Sequence, residues 1–121
     1  MDWTEENFGN EGARQFLQMQ AARLLSVIRD VVADPERLDP GEDGESMLMP
    51  CIEVLAFLCE RYDIPPPMPA AIRGWHEQYL KAFDAGFDKM KPPPGLKPLR
   101  RKVIEKTFRW LESLSESYHT A

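Results

Sequence analysis

Eleven prolines, and where they fall, constrain this chain more than any other feature. Proline has no backbone N–H, fixes φ and clashes inside a helix, so it marks helix starts and breaks. Three proline-bearing stretches, ADPERLDPGED, DIPPPMP and KPPPGLKP, separate four segments whose apolar residues recur three and four apart. The first segment opens at Asn10 or Gly12 and runs to about Ala33, with Phe16, Leu17, Leu24, Val27, Ile28, Val31 and Val32 apolar. The second spans about Glu45 to Tyr62. Its stripe is Met47, Cys51, Leu55, Leu58, Cys59 and Tyr62, widened by Ile52 and Val54. Nearly all of its charge sits at the ends, so it is expected to be the central helix. The third runs from about Pro69 to Met90, with Ile72, Trp75, Tyr79, Leu80, Phe83 and Phe87 inward and Gly86 at a point of close packing. The fourth spans about Leu99 to Tyr118, with Leu99, Val103, Ile104, Phe108, Trp110, Leu111 and Leu114 apolar.

No run alternates with the period of a strand. The pattern predicts an all-α chain, a four-helix bundle or irregular helical array joined by proline-rich linkers, forming one domain over residues 1–121. Pro50 tests the start of the second helix. With Ser46 as N-cap it falls in the first turn, where no N–H partner is lost. A start nearer Glu42 would make it a kink.

No apolar run approaches the ~20 residues of a membrane span. The opening MDWTEENFGNE is acidic and lacks the basic start and apolar stretch of a signal peptide, so a cytoplasmic location is expected. Cys51 and Cys59 lie in one helical pattern, about 12 Å apart at ~1.5 Å rise per residue, too far to pair there. They read as small buried apolar residues.

LDPGEDGES, Leu38 to Ser46, resembles half of a calcium loop. Such a loop needs oxygen ligands at positions one, three and five, glycine at six and a bidentate glutamate at twelve. Counting from Asp39, Asp43 and Gly44 fit, but Gly41 stands at three and Pro50 at twelve. Two ligands are missing, and no metal is expected. His76 and His119 are the only histidines, in no zinc spacing, and His119 falls in an expected frayed end. A cysteine–His76 nucleophile would need a thiol outside an apolar stripe. FGNEG resembles a phosphate loop only in its glycines and reads as a helix start. No cofactor is expected. Glu53 is the one charge between Glu45 and Glu60, facing either the bundle or a narrow exposed strip.

Charge geography is the most informative feature. From Asp34 to Glu45 six acids (Asp34, Glu36, Asp39, Glu42, Asp43, Glu45) stand against Arg37, and from Lys97 to Arg109 six bases stand against Glu105. Glu77, Asp84 and Asp88 share one face of the third helix. The acidic loop and basic helix could face each other on a solvated surface. Alternatively, the acids dock on a basic protein partner. A net charge of −5 argues against nucleic acid as a partner for the surface as a whole, leaving only the Lys97–Arg109 helix as a weaker possibility.

Trp3, Phe8, Asn10, Glu11, Ala13 and Phe16, with IEVLA at Ile52–Ala56, resemble a family of small bacterial domains of unknown function. Its members open with W-G-x-G-x-F-x-N-D-x-A. The resemblance implies a mostly helical fold and a bacterial source, and supplies no catalytic residue.

Two functions are expected on these grounds. The first is a non-enzymatic protein-binding module, in its most specific form an immunity protein that occludes the active site of a cognate toxin. Its contacts would be Glu36, Asp39, Glu42, Asp43 and Glu45, with Glu77, Asp84 and Asp88 as a second patch. The alternative is a small enzyme or ligand-binding helical protein with a pocket around Glu53, Trp75 and His76.

Overall fold

The computed structural model describes residues 5–120, so Trp3 of the opening motif lies outside the described residues. These residues form five α-helices and two further helical segments, one π-type and one 3-10, and no strand among them interrupts the all-α architecture.

Helix α1 spans Glu11–Ala33 and is capped at its start by Asn10, whose Oδ1 accepts from the Ala13 N–H at 2.8 Å. That oxygen satisfies one of the orphan donors of the first turn. Asp34 then turns extended, accepts from the Glu36 N–H at 3.0 Å and starts the single turn α2, Pro35–Leu38. Asp39 repeats the device with the Gly41 N–H at 2.9 Å. Pro40–Leu48 follows as a wide, π-type helical segment, broken at Glu42 (φ −103°, ψ −111°). It runs into α3, Met49–Tyr62, with the Met49 N–H reaching back to the Gly44 carbonyl.

The wide turn resolves the question of Pro50. Five-residue spacing displaces the carbonyl that a proline ring would strike in a regular α-helix. Ser46 is therefore not an N-cap. It lies inside the turn, and its hydroxyl donates to the Glu42 carbonyl at 3.0 Å.

Asp63, at φ 57°, ends α3 in the left-handed region. An extended stretch leads to α4, Pro69–Gly86, and a 3-10 turn, Phe87–Met90, extends it. Lys91 is left-handed (φ 55°), and Gly95 (φ 83°) turns the chain into α5, Leu96–Thr120, which starts three residues before the expected Leu99. The 63–68 linker is held from both sides. Ile64 and Pro66 are buried, the Ser115 hydroxyl donates to the Pro67 carbonyl, and His119 Nε2 sits 3.0 Å from the Pro66 carbonyl oxygen. His119 thus belongs to an ordered helix end docked on the linker, not a frayed one.

Helix α3 lies between α1 and α5, and α4 packs on α5. Helices α1 and α4 meet only sparsely, and the 40–48 segment fills the seam between them. The core is built from Ile28, Val31, Leu48, Ile52, Ile72, Tyr79, Phe83, Ile104, Phe108 and Leu111, all fully buried. Each such side chain contributes roughly 1.5–3 kcal/mol by leaving water. Two glycines let the seam close. A Cβ on Gly44 would lie 2.5 Å from both the Leu38 carbonyl oxygen and the Tyr79 ring. One on Gly86 would strike the Asp39 carboxylate and the ring of the buried Pro40. The expected close packing at Gly86 is therefore the docking point of the 40–48 segment on α4.

Several apolar residues expected inside face water instead. Phe16, Met47, Val54, Leu99 and Val103 are exposed. The stripes on α3 and α5 are wider than their shared contact. Helix α5 turns Ile104, Phe108 and Leu111 inward, which rotates Leu99 and Val103 out.

Candidate functional site

Five residues of the acidic segment, Glu36, Arg37, Asp39, Glu42 and Asp43, line a shallow hollow of about 450 Å³. The local sequence holds them in place. Asp34 and Asp39 cap successive turns, while Pro40 and Gly44 anchor the backbone in the core. Arg37 Nε donates to Asp43 Oδ2 at 2.7 Å, and this bond raises the guanidinium pKa. Arg37 is the one base among the six acids of the segment, and it organises the corner. Glu36 and Glu42 remain exposed, with no salt bridge among the described residues.

The other expected contact residues divide by geometry. Glu45 turns inward. Its carboxylate accepts from Arg100 Nε at 2.7 Å, from Arg100 Nη2 at 3.2 Å and from the Tyr79 hydroxyl at 2.5 Å. The bond to Glu45 raises the Arg100 pKa, while burial first, and Glu45 second, raises that of Tyr79. Asp84 pairs with Arg101 at 3.1 Å, and Asp88 with Lys97 at 3.0 Å. Glu77 is exposed two turns before Asp84. Asp84 and Asp88 of the second acidic patch are thus paired by α5, while Glu77 stays exposed, as do Glu36 and Glu42 at the corner. The same pairs engage Lys97, Arg100 and Arg101 of the basic helix, while Lys102, Lys106 and Arg109 stay exposed.

Glu53, Trp75 and His76 do not share a cavity. Glu53 is exposed and lines a hollow of about 240 Å³ with Glu45, Met49, Pro50, Arg100, Val103 and Thr107. Trp75 is in the core. His76 stacks on Phe108 at 4.9 Å between ring centroids, and its Nε2 is buried without a hydrogen-bond partner among the described residues. Burial lowers its pKa. Both cysteines are free and buried. Burial raises both thiol pKa values, that of Cys59 to about 11, which keeps them protonated and unreactive at neutral pH. Among the described residues, no group of three or more His, Cys, Asp or Glu could hold a metal ion, and no helix is long and apolar enough to cross a membrane. No family model, curated protein or solved structure matches the chain.

Proposed function

We propose that this protein is a non-enzymatic binding module whose acidic corner docks on a basic protein surface. In its most specific form it is an immunity protein that covers the active site of a cognate toxin. What carries the reading is the hollow formed by Glu36, Arg37, Asp39, Glu42 and Asp43. Its charges sit on backbone already pinned by side-chain caps and by buried Pro40, so little ordering entropy is lost on binding. An acidic face suits an enzyme that handles nucleotides or nucleic acid, because that active site is itself basic.

The test is the double variant Glu36→Lys, Glu42→Lys. Both residues are exposed and tie down no other element, so folding should be unaffected. Affinity capture with the wild-type chain should retain a basic protein that the variant loses, with faster release in higher salt. Equal retention by both chains overturns the placement of the interface. For the toxin reading, co-expression of the captured protein should arrest growth, and the wild-type chain should relieve the arrest. A captured partner that is harmless on its own overturns that reading.

A further inference from the structure

We draw no further inference here: the strongest candidate, the apolar hollow of about 410 Å³ between α1, α3 and the 63–68 linker, lined by Ala21, Leu25, Leu55 and Ile64, carries nothing because nothing in the structure shows what covers it.

Discussion

Replacing Tyr79 with phenylalanine removes one oxygen from a fully buried ring and tests the clamp that joins the 40–48 segment to α4 and α5. The Tyr79 hydroxyl donates to Glu45 at 2.5 Å, and the same carboxylate is held by two bonds from Arg100. A hydrogen bond to a charged acceptor contributes about 1.5–3 kcal/mol net. Arg100 stays in place, and the Glu45 side chain is 19% exposed, so water can replace part of the loss. Both facts put the cost at the low end, about 1.5–2 kcal/mol. At ~2.1 cal/mol/K per residue, a chain of 121 residues has an unfolding entropy near 250 cal/mol/K. The melting temperature should then fall by about 6–8 °C. Urea unfolding and calorimetry on the pure monomer measure both quantities. A double-mutant cycle with Glu45→Gln isolates the charged term. In the Glu45→Gln background the Tyr79→Phe cost should shrink to that of a neutral bond, about 0.5–1.5 kcal/mol. A Tyr79→Phe cost under about 0.5 kcal/mol, or one unchanged by Glu45→Gln, would refute the clamp.

Two further outcomes follow from packing and protonation. Gly44→Ala drives a methyl into the Leu38 carbonyl and the Tyr79 ring and should cost about 3 kcal/mol or more, whereas Gly74→Ala, in a helix with open space around it, should stabilise by about 0.5–1 kcal/mol; comparable urea midpoints for the two would contradict the seam. His76 holds a pKa below its ordinary 6.5, chiefly because burial disfavours the imidazolium, with Glu105 and Glu112 opposing the shift and Arg109 and Arg101 adding to it. The unfolded chain therefore binds the proton more readily. The stability that this contributes is full above pH 6.5 and is lost as pH falls through the folded value. His76→Leu should remove that part of the acid sensitivity below about pH 6.5, and parallel pH profiles for variant and wild type would count against it.

Much of the architecture was legible in the sequence because its signals are local. Asn10 caps α1 where expected, since capping needs only its own side chain and the next turn. The α4 stripe of Ile72, Trp75, Tyr79 and Phe83 is buried as its spacing implies. Proline clusters separate the helices, because the missing N–H acts within a few residues. The acidic corner was legible too, as a run of carboxylates interrupted by Arg37. Less visible was which acids stay outside. Ser46 shows how a local rule can fail: a hydroxyl directly before an apolar run suggests an N-cap, but the wide turn uses it to bond the Glu42 carbonyl.

Sequence by itself determined the helical class, the four long segments and the places where the chain must turn, because periodicity, capping and proline chemistry act over one or two turns. Only the tertiary structure decided which charges are spent. Glu45 and Arg100 are 55 residues apart, and Asp84 and Arg101 are 17 apart, so the pairs exist only once the 40–48 segment and α4 have packed on α5. The same packing turned Leu99 and Val103 outward and left Glu36 and Glu42 exposed. A helix stripe fixes which residues share a face; the neighbouring helices fix how far that face is rotated, and that rotation separates core from surface.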